Sequence, residues 1–175
     1  MTEQASPVPA SPVQEPVTER LLALLRDGGA RHRLIEHRPE GRTEVVSALR
    51  GNQLAHAAKC IVVRVKVTKK SSHYVLAVVP GDRRLDLGRL KDLYQAKHAS
   101  FVEAETAERL TGSVSGSIVP FSFEPALELV VDPGLLEPSE IYFNAGELHL
   151  SLELDTGDYR RLARPRLAEI AEPAG

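Results

Sequence analysis

The sequence predicts a single α+β domain with a mixed or mostly antiparallel sheet. Strand and helix patterns follow one another without the regular βαβ alternation that builds parallel sheets. With 175 residues, of which 42% are hydrophobic, the chain can bury one good core. Because Trp is absent and aromatic residues make up only 5%, Val, Leu, Ile and Ala must fill that core.

The N-terminal part of the chain divides into a leader and the start of the domain. Residues 1–16 hold four prolines among Ser, Gln, Glu and Ala, which predicts a disordered leader, with the domain spanning 17–175. A helix is predicted to open at Thr18 and to end at Gly28-Gly29. A short strand, His32–Glu36, follows it.

The next segment predicts two helices and a hairpin. Thr43 is expected to cap a helix that ends at Gly51. Asn52 is expected to cap a shorter helix that reaches Ala58. The strongest strand pattern, Lys59–Val67, pairs with Tyr74–Val79 across a Lys-Lys-Ser-Ser turn. The second helix is predicted to bury Val45, Val46 and Leu49.

The second half of the chain alternates short helices and strands. Asp86 is expected to cap a helix that carries Leu87, Leu90, Leu93 and Tyr94 at helical spacing. The remaining predicted elements are a strand at Ala99–Val102, a helix at Ala104–Leu110, a buried strand at Ala126–Val131, a turn at Asp132-Pro133-Gly134, a hairpin of Glu140–Asn144 and Glu147–Leu154 turning at Ala145-Gly146, and a last helix capped by Thr156 or Asp158 and ended before Pro165.

Composition narrows the function classes. A net charge of −2 argues against a broad basic surface for nucleic acid. One cysteine rules out an internal disulfide and a Cys-based zinc site. The six histidines show no ligand spacing, so no metal site is predicted. No apolar run approaches the length of a membrane span, which predicts a soluble cytoplasmic protein without membrane contact.

A glycine- and serine-rich segment, Gly112–Phe121, is the first candidate for a binding loop. Two glycines at i and i+4, three serines and Pro120 suit neither a helix nor a strand. Backbone N–H groups in such a loop can face a ligand, since glycine has no Cβ to hold the ligand off. The alternative is a helix end, with Gly112 as its terminator, followed by an ordinary turn.

Three further side chains have both a chemical and a structural interpretation. Lys59 leads an apolar row on one strand face, where it can reach a phosphate or a carbonyl, or can extend its ammonium group to water. Cys60 lies on the opposite face and is interpreted as a buried structural thiol. Asp132 either forms a turn before Pro133 or orients a substrate amine.

These residues occur in one order that resembles a known family. Lys59, the run Val78–Leu87, Gly116–Phe121, Asp132 and Phe143-Asn144-Ala145-Gly146 are similar to the YbaK / prolyl-tRNA synthetase-associated editing domains, which are free-standing aminoacyl-tRNA deacylases. The similarity extends from about Leu21 to Leu162. It implies a compact fold in which helices surround a curved mixed sheet.

The resemblance also implies roles for individual residues. Gly116–Pro120 matches the family's Gly-x-x-x-Pro loop, which holds the terminal adenosine and positions the attacking water. Lys59 matches the lysine that secures the substrate near the terminal phosphate and ribose, and Asp132 the aspartate that shapes the amino-acid pocket. No metal or other cofactor is implied. We therefore predict Lys59 and Gly116 as catalytic residues, and as substrate-binding residues Gly112, Ser115, Ser117, Ile118, Pro120, Asp132, Gly146 and His149.

The chain departs from the family pattern at two positions. Relatives often have Thr in place of Cys60, which is interpreted as a packing change. Several relatives have a histidine two residues after the glycine matching Gly146, where this chain has Leu148, with His149 one residue later. Alternation turns His149 to the other strand face unless a bulge corrects the register.

The predicted function is trans-editing: hydrolysis of mischarged aminoacyl-tRNA, gripped at its acceptor end, by a positioned water and without a metal. The ester is already activated, so positioned water and oxyanion donors suffice without a protein nucleophile. One alternative is an inactive tRNA- or nucleotide-binding module of the same fold. Another is an accessory subunit in transient contact with an aminoacyl-tRNA synthetase.

Overall fold

A computed structural model describes residues 15–173, so the predicted leader lies outside the described residues except at Glu15 and Pro16. The helices of the described part are α1 (Val17–Asp27), α2 (Thr43–Arg50), α3 (Leu87–Leu93), α4 (Ala104–Thr111) and α5 (Thr156–Ala163). Its strands are β1 (His32–Glu36), β2 (Ala58–Thr68), β3 (Ser71–Pro80), β4 (His98–Phe101), β5 (Leu127–Val131), β6 (Glu140–Glu147), β7 (Leu150–Asp155) and β8 (Arg166–Leu167). Short 3-10 turns occupy Leu54–His56 and Pro133–Leu136.

The strands form two sheets. A five-stranded sheet has the order β4-β2-β3-β5-β8, with β5 parallel to β3 and to β8 and the other pairs antiparallel. A three-stranded antiparallel sheet has the order β1-β7-β6. The predicted α+β class with mixed strand directions is confirmed, and the predicted single curved sheet is divided into two.

The larger core lies between the two sheets and is closed by α1 and α5. Leu21 and Leu25 of α1 pack there with Phe143 and Leu152 of the smaller sheet and with Val78 of the larger one. A second core covers the other face of the larger sheet, so β2 and β3 are apolar on both faces, as the Val-rich sequence of these strands requires. No helix in residues 15–173 is long and apolar enough to cross a membrane.

The second helix differs in detail from its prediction. The residue before it is Arg42, whose side chain makes no capping hydrogen bond, and Thr43 is the first helical residue instead of the cap. Val46 and Ser47 are buried, whereas Leu49 is 37% exposed. Gly51 ends the helix with a positive φ, as predicted, and the expected helix from Asn52 is reduced to a 3-10 turn.

The hairpin of β6 and β7 turns three residues later than predicted. Ala145 and Gly146 lie inside β6, at a register shift between Asn144 and Glu147, and the turn falls at Leu148 and His149. The Ala145 carbonyl accepts a hydrogen bond from Thr18 Oγ1 at 2.6 Å. The Ala-Gly pair thus serves close packing of β6 against α1, a tertiary contact that local turn propensity cannot reveal.

The C-terminal part contains contacts that the sequence did not predict. Asp155, not Thr156 or Asp158, caps α5, and its carboxylate accepts from the amide of Asp158 at 2.9 Å. The helix ends before Pro165 as predicted. Beyond it, β8 joins the larger sheet, and Ala171 forms an antiparallel bridge with Leu85.

Candidate active site

A cavity of about 170 Å³ opens where α2, the beginning of β2, the bulged part of β6 and the glycine-rich loop meet. It brings together residues from four separate parts of the chain. Those used below are Gly41, Arg50, Lys59, Gly116, Ile118 and Asn144. The structure thus places Lys59, Gly116 and Ile118, three of the predicted site residues, on the wall of one cavity.

The glycine-rich loop is held by its carbonyl groups, which leaves amides available. The Gly116 carbonyl accepts from Asn144 Nδ2 at 2.9 Å, the Ser117 carbonyl from the Gly146 amide at 3.0 Å, and the Pro120 carbonyl from the buried Tyr159 hydroxyl at 2.7 Å. Within residues 15–173 the Gly116 and Ile118 amides donate to no group. These two N–H groups can therefore donate to a ligand oxygen in the cavity.

Position 116 requires a glycine, both for its backbone conformation and because the Gly41 backbone lies against it. The φ of Gly116 is +90°, and a Cβ at this position would lie 2.6 Å from the Cα of Gly41. A Cβ at Gly41 would in turn lie 3.1 Å from the Cα of Gly116. The loops touch backbone to backbone, so neither accommodates a side chain without moving.

A buried polar network supports the loop from below. Asn144 donates to the carbonyls of Glu40 and Gly116, and its Oδ1 accepts from Ser151 Oγ at 2.8 Å. Ser151 is fully buried and also contacts His37 Nε2 at 2.6 Å. Because each polar atom of Asn144 has a partner, this side chain joins β6, β7 and the loops before α2 into one rigid wall.

Lys59 lies at the beginning of β2 and is partly buried. Its Nζ donates to the main-chain carbonyl of Arg83 at 2.7 Å. The Arg83 segment is itself fixed, because the guanidinium donates to the carbonyl of Glu172 at 2.8 Å and lies 3.7 Å from the carboxylate of Asp132. This hydrogen bond to a neutral carbonyl orients the amino group of Lys59 without pairing it with an anion.

Arg50, which the sequence interpretation missed, ends α2 and also lines the cavity. Its guanidinium donates to the neutral oxygens of Asn52 at 3.0 Å, Ser151 at 3.2 Å and Ser47 at 3.3 Å. Burial lowers the pKa of Arg50 to about 10, so it remains a cation at neutral pH. No single pattern could have marked it, because a helix-terminal arginine is usually an exposed cation.

Asp132 is held by main-chain hydrogen bonds away from this cavity. It is buried but lies outside the cavity wall, and both of its carboxylate oxygens accept main-chain hydrogen bonds. Oδ1 accepts from the Gly134 amide at 2.8 Å, and Oδ2 accepts from the Ile170 and Ala171 amides at 3.0 and 2.9 Å. The structure supports the turn interpretation, with the added role of fastening the C-terminal segment.

The remaining predicted contact residues do not line the cavity. Gly112 ends α4 with a φ of +70°, which matches the helix-end interpretation. Ser115 is exposed, and the Ser117 hydroxyl donates back to the Val114 carbonyl at 2.8 Å. His149 lies in the exposed turn with Nε2 3.2 Å from a carboxylate oxygen of Glu147. Pro120 and Gly146 contribute through the loop-holding hydrogen bonds described above.

Cys60 also lines the cavity. It packs with Ala58 and Val62 in the core on one face of β2, whereas Ile61 and Val63 pack in the core on the other face, so the predicted alternation along this strand holds. Burial raises the pKa of the Cys60 thiol well above the usual range, so it stays a neutral, packed group. In the described part of the chain, no three His, Cys, Asp or Glu side chains are grouped as metal ligands.

Comparison with known proteins gives the family of this domain. The model of the aminoacyl-tRNA editing domain matches residues 37–162, and the chain belongs to this family. It is 42% identical over 157 residues to the multifunctional Ser/Thr-tRNA deacylase ProXp-y of Escherichia coli, covering 89% of this chain and 93% of that protein. The predicted family is confirmed, and the predicted deacylase class is the class of this relative.

Solved structures support the fold. A crystal structure of a candidate trans-editing enzyme for prolyl-tRNA synthetase superposes with a TM-score of 0.73 at 22% identity, covering 90% of this chain and 98% of the other. The crystal structure of a hypothetical protein gives a TM-score of 0.78 at 23% identity, covering 87% and 99%. At these identities the similarity concerns the fold alone.

Proposed function

We propose that this protein is a trans-editing deacylase that removes serine or threonine from mischarged tRNA. The amino-acid class is inferred from the relative described as a Ser/Thr-tRNA deacylase, which aligns with nearly the whole chain. The observation that supports this chemistry is that Lys59 lines the same cavity as Gly116 and Ile118, whose amides donate to no group within residues 15–173. The cytoplasm, where mischarged tRNA occurs, is the expected location.

The proposed reaction is hydrolysis of the ester between the amino acid and the terminal ribose. A water oxygen attacks the carbonyl carbon, and the carbonyl oxygen becomes an oxyanion that the Gly116 and Ile118 amides stabilise. The carbon–oxygen bond to the ribose then breaks, and the water proton ends on the ribose oxygen. Lys59 secures the terminal nucleotide, and the products are the free amino acid and uncharged tRNA.

The size of the cavity supports a grip limited to the acceptor end. At about 170 Å³ it is smaller than the roughly 300–1,000 Å³ of pockets that enclose drug-sized ligands. An aminoacyl group with part of its ribose can enter, whereas the rest of the tRNA stays outside. Discrimination of small side chains in synthetase sites is worth only about 1–3 kcal/mol per methylene, which explains the need for a second hydrolytic site.

The test is amino-acid release from a panel of mischarged tRNAs, with serine, threonine, alanine and cysteine esters compared on the same tRNA. We expect the serine and threonine esters to be hydrolysed fastest. Binding of charged tRNA without release from any ester would favour the inactive binding module. We expect that addition of a synthetase leaves single-turnover rates unchanged, and an increase would favour the accessory subunit in contact with a synthetase.

A further inference from the structure

Arg50 is a cation on the cavity wall with no anionic partner. Within residues 15–173 no carboxylate forms an ion pair with it, and its three hydrogen bonds go to the neutral oxygens of Ser47, Asn52 and Ser151. A guanidinium group has five N–H donors, so two remain without a partner.

The surroundings of Arg50 do not compensate this charge. No Asp or Glu among residues 15–173 lines the cavity, and Lys59 is its second basic lining residue. Removing a cation from water costs free energy unless an anion pairs with it, which is why burial lowers the pKa of Arg50. The carbonyl end of α2 supplies only a partial negative charge.

A purely structural role accounts poorly for an arginine here. A neutral side chain at this position would avoid the cost of burying a charge. An anionic oxygen is the natural complement of a guanidinium group, whose planar array of donors fits phosphate and carboxylate oxygens. The two unused donors and the uncompensated charge therefore both indicate a ligand oxygen that carries negative charge.

We propose that Arg50 binds an anionic oxygen at the acylated end of the substrate. The identity of this substrate rests on the proposed function. Two such oxygens occur there: a phosphate oxygen of the terminal nucleotide, and the oxyanion that forms when water attacks the ester.

The first experiment tests the phosphate oxygen by calorimetric binding of adenosine and of adenosine 5′-monophosphate, which carries the phosphate of the terminal nucleotide. Wild type is expected to bind the monophosphate about tenfold to a hundredfold more tightly than adenosine. Arg50→Gln is expected to abolish this preference. Arg42→Gln is the matched control, since Arg42 adjoins the same helix but is exposed and paired with Glu40.

The second experiment tests the oxyanion with a seryl ester of adenosine that lacks any phosphate. If Arg50 binds the oxyanion, Arg50→Gln lowers the single-turnover rate about 10²–10³-fold while Arg42→Gln does not. Arg50→Lys keeps the charge and loses the planar donor array, so it is expected to fall between wild type and Arg50→Gln in whichever experiment responds.

The inference is overturned if folded Arg50→Gln matches wild type in both experiments. If Arg50→Gln does not fold, Arg50→Lys takes its place. The inference is then overturned by two results together: wild type binds adenosine and its monophosphate with equal affinity, and Arg50→Lys hydrolyses the ester at the wild-type rate. The binding experiment needs no turnover. A wild type that hydrolyses no ester but loses its phosphate preference on Arg50→Gln refutes the proposed function and leaves this inference standing.

Discussion

At the scale of single residues, the cavity is lined by hydrogen-bond donors that have no anionic partner within residues 15–173. The ammonium group of Lys59 binds a carbonyl, and the amides of Gly116 and Ile118 bind nothing within residues 15–173. Main-chain partners fix position without cancelling charge. We propose that these groups donate hydrogen bonds to substrate oxygens, and each donor can be tested by itself.

We expect Lys59→Ala to lower kcat/KM for deacylation about 10- to 100-fold, because one charge-assisted hydrogen bond to the substrate is lost. Charged tRNA should still bind measurably if the other contacts remain. Lys66→Ala is the control, since Lys66 lies in the same strand near its far end. Unchanged hydrolysis by Lys59→Ala would remove Lys59 from the reaction.

Gly116→Ala should reduce deacylation by more than its effect on stability can explain. A positive φ costs a non-glycine residue about 1–2 kcal/mol, and the added Cβ would also lie 2.9 Å from the Gly41 carbonyl oxygen, which forces the loop to shift. Gly29→Ala has a comparable φ of +63° and open space around it. Both variants should lose stability in urea unfolding, Gly116→Ala the more because of its contact with Gly41, and only Gly116→Ala should lose activity.

At the scale of elements, Asp132 and Arg83 connect the C-terminal segment to the candidate site by hydrogen bonds. The Asp132 carboxylate holds the amides of Ile170 and Ala171, and the adjacent Glu172 carbonyl accepts from Arg83, whose own carbonyl orients Lys59. The C-terminal segment is thus connected to the beginning of β2 by consecutive hydrogen bonds. A change at Asp132 is expected to act at a distance.

Asp132→Asn should destabilise the protein by about 1–3 kcal/mol, because an amide nitrogen replaces one acceptor oxygen facing buried main-chain N–H groups. Amide hydrogen exchange at Ile170 and Ala171 should accelerate before exchange in the β2–β3 pair does. Asp92→Asn, at an exposed position in α3, is expected to change neither. Equal protection of Ile170 in both variants would contradict the fastening role.

At the scale of the whole molecule, a net charge of −2 limits how far a tRNA can be held by electrostatics. Lys59 and Arg50 are the cations that line the cavity in the described part of the chain. Binding is therefore expected to involve few phosphates, all at the single-stranded acceptor end.

With two phosphate contacts, the logarithm of kcat/KM should fall with the logarithm of salt concentration with a slope of about −1.4. The measurement is a salt titration at substrate concentrations well below KM. A slope of about −4 or steeper would indicate a broad basic track outside the cavity.

The parts of the fold that the sequence predicted are those decided by local interactions. Asp86 does cap α3, accepting from the Arg89 amide, and the Val-rich pair β2 and β3 forms the expected hairpin. The turn predicted at Ala145-Gly146 was wrong, because contact with α1, not turn propensity, decides the conformation of this pair. Lys59 and Gly116 were found from an ordered motif set, whereas Arg50 gains its significance only from neighbours distant in sequence.

The backbone contact between Gly41 and Gly116 restricts how the specificity of this protein can be altered. A Cβ at Gly116 would lie 2.6 Å from the Gly41 Cα, and a Cβ at Gly41 would lie 3.1 Å from the Gly116 Cα, so a side chain at either position requires the backbone to shift. Val46, one helical turn before Arg50, contributes to the same cavity from α2. Mutational libraries aimed at a new amino-acid preference should therefore diversify α2 and leave both glycines untouched.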